Sequence, residues 1–374
     1  MAEARGAFLR GREPHLPARM TLRHLMRILG PSRKDGRNLT YQEAHEAFSS
    51  ILDGTESEIA VGAFLVLLRV KGITVEELTA FARAARERAR IPCKDVQGLV
   101  CVCPPHDGMD RTPPLEVAAG LVAAGAGVRV LILSDRCVPP KRGLTAGSVL
   151  EALDASMTWD PSEAESWVAK TRFAACAVSG ILPCLMQLRR IRGDVGIRTP
   201  LATVEKLIAP SSAAVVLGAQ GGPVLGSAVE VIQALGHPRG IALQGPEGSV
   251  IPSVRKRTRG IEIAEKHLVP LNVEPEDFGL AFDAEPDFPV YGPPPEDQGT
   301  GDNPDLVRCA GEITRAVLAG ESGPSRAATL LGAAVILKAS GRALTLAEGI
   351  DLATASLDSG AAREVLARLR ELGS

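Results

Sequence analysis

Aromatic side chains are scarce in this sequence: Phe, Tyr and Trp together make up 3% of 374 residues. The core must therefore be built from aliphatic side chains, and the scarcity argues against a binding surface of stacked rings, of the kind that grips unpaired bases. No run of about 18 apolar residues occurs, so no segment reads as a membrane-spanning helix and no membrane partner is expected. The first 19 residues mix Arg, Glu, Gly and Pro and lack the apolar stretch of a secretory signal. They read as a flexible tail on a cytoplasmic protein. Seven cysteines, at 93, 101, 103, 137, 176, 184 and 309, are odd in number and irregular in spacing, which opposes a disulfide framework. Buried, reduced thiols are the expectation. An excess of either charge is missing too, because the net charge is −2. That balance names no polyanion partner, but the distribution is uneven. Residues 274–305 contain no Lys or Arg, whereas Arg189, Arg190, Arg192 and Arg198 lie close together, as do Arg255, Lys256, Arg257 and Arg259.

What is present is a globular chain with 45% apolar residues, long enough for two domains. Leu22, Leu25, Met26 and Leu29 share one helical face. Thr40 and Glu43 form a capping box ahead of an apolar stripe through Ala44, Phe48, Ile51 and Leu52, and Thr74 and Glu77 form another ahead of Leu78, Phe81 and Ala85. Between them, residues 58–71 are apolar almost all round, as expected of a helix covered on several sides. These segments predict a small helical domain over 20–90, with a helical contribution from about 160–200.

The pattern changes near Ile91-Pro92. Residues 99–103 and 128–133 are short, apolar and β-rich, with a helical stretch at 115–125 between them. Residues 213–217, 224–235 and 240–243 repeat the order strand, helix, strand. Two such units predict a larger α/β domain over 91–374 with a mostly parallel central sheet. Ser162 and Glu165 read as the cap of a further helix, and 182–192 also reads as helical. Residues 285–304, rich in Pro, Gly and acid, read as a long surface loop, followed by helices at 304–318, 324–339 and 346–357.

Three stretches carry a resemblance. They are the N-terminal steps Lys34-Asp35-Gly36, Leu39-Thr40 and Gly62-Ala63-Phe64-Leu65; Gly196-Ile197-Arg198-Thr199 running to Ala209-Pro210; and 317–324 through Glu348-Gly349 to Asp358-Ser359-Gly360. In this order they resemble the anthranilate phosphoribosyltransferase and nucleoside phosphorylase superfamily, glycosyltransferase family 3, over about residues 20–372. The resemblance implies a helical domain, an α/β domain, a cleft between them and a homodimer formed through the helices.

It also exposes rewritten motifs. Transferases of that family hold phosphoribosyl pyrophosphate in a Gly-Thr-Gly-Gly-Asp turn, where glycine amides close on the pyrophosphate. The matching stretch here is Pro104-Pro105-His106-Asp107-Gly108, and proline has no N–H to donate. The next phosphate-binding step falls on Pro114, Leu115, Glu116 and Val117. The magnesium-binding Asp-Glu pair falls on Pro246-Glu247, leaving one carboxylate. Arg136 and Lys141 match the family's Arg and Lys after the second strand, and Arg192 matches the Arg that contacts the aromatic acid. Gly245-Pro246-Glu247-Gly248 and the basic run after it resemble YbiB-type proteins, a subgroup that binds nucleic acid and lacks the usual transferase activity.

The candidate residues thus fall into three sets. Arg189, Arg190, Arg192, Arg198, Arg255, Lys256, Arg257 and Arg259 are candidates for nucleic-acid or phosphate binding. His106, Asp107, Gly108, Arg136 and Lys141 mark an altered donor site, and Glu247 is the candidate metal ligand. The leading expectation is a basic interdomain groove that binds single-stranded nucleic acid or a phosphorylated small molecule and requires no cofactor. An active phosphoribosyl or glycosyl transferase with a divergent donor site, able to use Mg²⁺, stands beside it, as does a paralogue acting through protein contacts alone.

Overall fold

The computed structural model describes residues 21–30, 36–264, 267–289 and 303–373. The N-terminal tail, Lys34 and Asp35 of the first motif, and most of the Pro-rich acidic segment lie outside the described residues.

Helices Leu22–Leu29, Tyr41–Leu52, Glu58–Lys71 and Val75–Arg88 start where the sequence supplies caps. Thr21, Thr40, Ser57 and Thr74 each accept a hydrogen bond from a backbone N–H of the first turn, and the Thr40–Glu43 and Thr74–Glu77 boxes are closed in both directions. Three of the few aromatic rings converge in this bundle: Phe48 stacks on Phe81 with centroids 4.7 Å apart, and Phe64 meets Phe81 at 6.4 Å. Helix Leu185–Val195 packs across Glu58–Lys71, where a side chain in place of Gly62 would touch Ile191 and Val195.

The larger domain is built on seven strands: β1 Leu99–Cys103, β2 Arg129–Ser134, β3 Phe173–Ala177, β4 Ala214–Gly218, β5 Arg239–Leu243, β6 Thr258–Ala264 and β7 His267–Val273. Their order is β3-β2-β1-β4-β5-β6-β7. The first five are parallel, and β6 and β7 are added antiparallel at one edge. β1, β3 and β4 are buried along their whole length, as parallel strands covered on both faces must be. Helix Glu116–Gly125 lies against Pro324–Ser340 and Ala361–Leu372, and Pro324–Ser340 also packs on β1, β4 and β5, so these later helices help to cover the sheet.

Two local differences from the sequence reading have plain causes. The helix placed at Ser162 begins at Pro161 with Asp160 as its cap, because proline at the first helical position has no N–H left unpaired. β3 was not anticipated, since Phe-Ala-Ala-Cys-Ala has little β propensity; pairing along β2 makes it a strand.

The strand order reverses between β1 and β4, which both leave the sheet in the same direction. Connections diverging from such neighbours leave a crevice beyond their carboxyl ends, the usual place for a ligand in an open parallel sheet.

Candidate functional site

A cleft of about 500 Å³ occupies that crevice. Its floor is the turn after β1, with Pro105, His106 and Asp107, and the turn after β4, with Ala219 and Gln220. Leu68, Ile73 and Leu78 of the helical domain form an apolar wall opposite. The cleft therefore lies between the two domains.

The turn after β1 is held open by backbone contacts. Gly108 has φ +80°, and a Cβ there would lie 2.1 Å from the carbonyl oxygen of Gly143, so no other residue fits. His106 and Asp107, each 2% exposed, are fixed by different partners. His106 Nε2 lies 3.2 Å from Asp135 Oδ2, while its Nδ1 has no hydrogen-bond partner among the described residues. Asp135 also accepts from the amide and hydroxyl of Ser179, at 3.0 and 2.6 Å. Burial opposes ionisation of Asp135, but His106, Ser179 and Arg189 overcome it and hold its pKa below the usual value.

Arg198 reaches the cleft from the segment after Gly196, whose left-handed conformation ends the Leu185–Val195 helix. Its Nε donates to Asp107 Oδ2 at 2.6 Å. Lys206 lines the same cleft and donates to the carbonyl of Gly218 at 2.8 Å. Burial lowers the Lys206 ammonium to about 8, against the attraction of Asp107. Sequence reading missed Lys206. No signal in the sequence set it apart: it directly follows Glu205 in the stretch from Gly196 to Pro210, which also holds Arg198.

Glu247 has the most constrained setting. It sits in the short turn Pro246–Gly248 with φ +54°, a left-handed conformation that costs a non-glycine residue about 1–2 kcal/mol. Its carboxylate accepts from the amides of Arg111 and Thr112 and from the Thr112 hydroxyl, each at 2.9 Å, and from the amide of Asp110 at 3.4 Å. The ammonium of Lys141 completes the set and also lies 3.2 Å from Asp110. Burial would raise the Glu247 carboxyl, but Lys141 and the loop amides outweigh it and hold it at about 2. The backbone amides of Asp110, Arg111 and Thr112 and the ammonium of Lys141 thus form an anion cradle that an internal carboxylate fills.

Magnesium does not fit this arrangement as it stands. Both Glu247 oxygens are committed to donors, and a cation there would face Lys141. Among the described residues no three His, Cys, Asp or Glu side chains cluster as metal ligands.

The remaining candidates are placed as follows. Arg192 is 3% exposed and donates to both oxygens of Glu205, at 2.5 and 2.6 Å, and it is not part of the cleft lining. Arg189 lies 3.4 Å from Asp135 and donates to the carbonyl of Arg136. Arg136 is ion-paired with Glu151. Arg190 is exposed, within 4 Å of Glu58 and Asp194. Arg255, Lys256 and Arg257 form an exposed loop leading into β6, on which Arg259 stands. Because β6 begins opposite the end of β5, this loop stands at the cleft's end of the sheet without lining the cleft. Arg257 is ion-paired with Glu274. All seven cysteines are free thiols. No helix among the described residues is long and apolar enough to cross a membrane.

The chain matches the glycosyl transferase family helical bundle domain over residues 33–89 and the a/b domain of the same family over 110–363. An anthranilate phosphoribosyltransferase of Symbiobacterium thermophilum is 30% identical, covering 90% of this chain and 94% of its own length. One from Solibacter usitatus is also 30% identical, over 94% of this chain and 98% of its own. The crystal structure of the Thermus thermophilus anthranilate phosphoribosyltransferase superposes with a TM-score of 0.75 at 27% identity, covering 90% of this chain and 96% of that one. The Saccharomyces cerevisiae enzyme in complex with PRPP and Mg shares the fold, with a TM-score of 0.73 at 20% identity over 94% of this chain and 98% of its own. With both domains present in the family's order and a relative matched at this identity along nearly its whole length, the chain belongs to the anthranilate phosphoribosyltransferase-like glycosyl transferase family.

Proposed function

We propose that the interdomain cleft binds a phosphorylated ligand through Arg198 and Lys206, and that the donor loop is altered so that Glu247 occupies the place of an anionic donor group. The observation that carries this reading is the engagement of Glu247 by Lys141 and three consecutive loop residues. A bound pyrophosphate would have to displace a carboxylate already holding the charged donors, and a backbone bearing Pro104 and Pro105 offers few amides in exchange. Cleft binding in this reading proceeds without magnesium. The reading extends to single-stranded nucleic acid, for which the exposed Arg255, Lys256, Arg257 and Arg259 at the cleft's end of the sheet give support, and it agrees with a YbiB-type assignment.

A second reading is active phosphoribosyl transfer. The names of the relatives and the yeast complex with PRPP and Mg favour it. Here Glu247 would leave its cradle when donor and magnesium enter, and the carboxylate would face the cation.

Glu247→Gln separates the two. We expect wild type to give no turnover with anthranilate, phosphoribosyl pyrophosphate and Mg²⁺, and we expect the variant to bind pyrophosphate compounds as well as wild type or better, because an internal competitor has lost its charge. Turnover in the wild type that disappears in Glu247→Gln would establish the second reading in place of the first.

We further propose a homodimer formed through the helical domain. Ile59 and Val70 of helix Glu58–Lys71 are 86% and 71% exposed, an apolar cost a partner helix would remove. Sedimentation at micromolar concentration should show a dimer that Ile59→Glu with Val70→Glu dissociates; a wild-type monomer refutes it.

A further inference from the structure

Most cations in or beside the cleft have internal partners: Arg198 has Asp107, Lys141 has Glu247, Arg192 has Glu205 and Arg189 has Asp135. The reverse holds at a second cavity, of about 330 Å³, on the other side of the molecule. Arg83, Arg86 and Lys94 line it, and none of the three forms an ion pair with an acidic side chain of the described residues. One acid, Glu87, is also on the wall, but it hydrogen-bonds His45 at 2.9 and 3.1 Å and lies 3.9 Å from Arg88. Ile91, Pro210 and Leu235 supply an apolar side.

The two cavities sit at opposite ends of one helix pair. Val75–Arg88 of the helical domain packs against Gly222–Ala234 of the α/β domain. Leu78 and Val224, near the starts of these helices, line the cleft; Arg83, Arg86 and Leu235, near their ends, line the second cavity. The 13-residue helix separates them by roughly 20 Å at 1.5 Å per residue.

The cationic wall is built in place. Arg83 Nη2 donates to the carbonyl of Ala234 at 2.6 Å, and Arg86 donates to Ala209 at 2.7 Å and Leu235 at 3.4 Å. These contacts neutralise the carbonyl end of the Gly222–Ala234 helix, which would otherwise repel an anion. Each guanidinium has five N–H donors, so both keep donors to spare. Burial, and then the neighbouring Arg83, push Arg86 down to about 10, as expected where two positive charges share a partly dry site with no acidic partner among the described residues. Lys94 stands exposed on the segment that joins the domains.

We propose that this cavity is a second ligand site, for a phosphorylated small molecule. Its phosphate sits among Arg83, Arg86 and Lys94, and its uncharged part rests on Ile91, Pro210 and Leu235. Because Arg83 and Arg86 come from the helical domain and Pro210 and Leu235 from the α/β domain, the bound molecule spans the joint on which the cleft opens. The inference is independent of what the cleft binds.

Calorimetric titration of the full chain with inorganic pyrophosphate tests it. Lys94→Gln and Arg83→Gln should each weaken one saturable binding event by about tenfold, the loss of one charged hydrogen bond. Arg198→Gln, in the cleft, should leave that event within about twofold, so that failure of the cleft reading and failure of this one are told apart. Lys94 is exposed and forms no side-chain hydrogen bond or ion pair among the described residues, so its variant keeps the test clean if Arg83→Gln loosens the helix pair. Binding equally tight in Lys94→Gln and Arg83→Gln, or no saturable event at millimolar pyrophosphate, overturns the proposal. So does displacement of pyrophosphate by a single-stranded oligonucleotide that both variants abolish, which would assign the wall to nucleic acid.

Discussion

Single side chains in this protein are read by what neutralises them. Arg192 resembles a ligand-binding cation in sequence, yet its guanidinium is buried against Glu205, whose other close neighbour is His106 at 3.9 Å. Lys206, which directly follows that Glu205 in sequence, lines the cleft with Arg198 and donates to the carbonyl of Gly218. Glu116 is the opposite case, an acid with no cationic partner among the described residues. It is 1% exposed at the start of helix Glu116–Gly125, and its Oε2 is unpaired. Burial raises its carboxyl from 4.5 to about 7, with its own backbone amide opposing. A folded-state pKa above the unfolded one means that the folded chain holds the proton more tightly. The contribution is fully present below about 4.5 and is lost as pH rises through about 7. Glu116→Gln, which cannot ionise, should therefore match wild type near pH 4 and exceed it at pH 8, by up to about 3 kcal/mol. Denaturant melts at the two pH values measure this, and equal differences at both would remove Glu116 as the source.

At the scale of elements, caps and buried acids contribute unequally. Thr74 accepts from the amide of Glu77 at the start of helix Val75–Arg88. Glu77 returns the contact to the Thr74 amide at 2.9 Å, and also accepts from the Leu39 amide and from Lys71, both at 2.8 Å, while fully buried. Thr74→Ala removes a cap and should cost about 1 kcal/mol. Glu77→Ala strands a buried amide of a neighbouring segment and a half-buried ammonium, and should cost about 3–5 kcal/mol. Urea unfolding of both variants gives the comparison, and similar losses would mean that Glu77 acts only as a cap. The capping boxes were legible because their partners are three residues apart. The tie from Glu77 to Leu39, across 38 positions, was not.

The whole molecule decides whether scattered cations make a polyanion surface. Arg255, Lys256 and Arg257 are exposed at the same end of the sheet as the cleft, but Glu274 already holds Arg257. If single-stranded nucleic acid binds there through phosphates, replacing the three with Ala should weaken every sequence alike. The slope of log affinity against log salt should become shallower by roughly 0.7 per lost contact. Filter binding at several salt concentrations reads this, and an unchanged slope would move any nucleic-acid surface elsewhere.

The division between sequence and structure follows the range of the forces. The capped starts of the N-terminal helices, the strands β1, β2, β4 and β5, and the two-domain order depend on periodicity and on residues a few positions apart, so the sequence alone determined them. The Pro-Pro turn and the proline that precedes Glu247 were visible for the same reason. The strand β3, the reversal of strand order between β1 and β4, and the pairing of Arg192 with Glu205 and Arg198 with Asp107 were decided only by tertiary structure. A charge in the sequence carries no record of its counter-charge. Asp107 and Arg198 are 91 residues apart and Lys141 and Glu247 are 106 apart, and only the folded chain determines which cations are neutralised and which, like Lys94, are left without an acidic partner among the described residues.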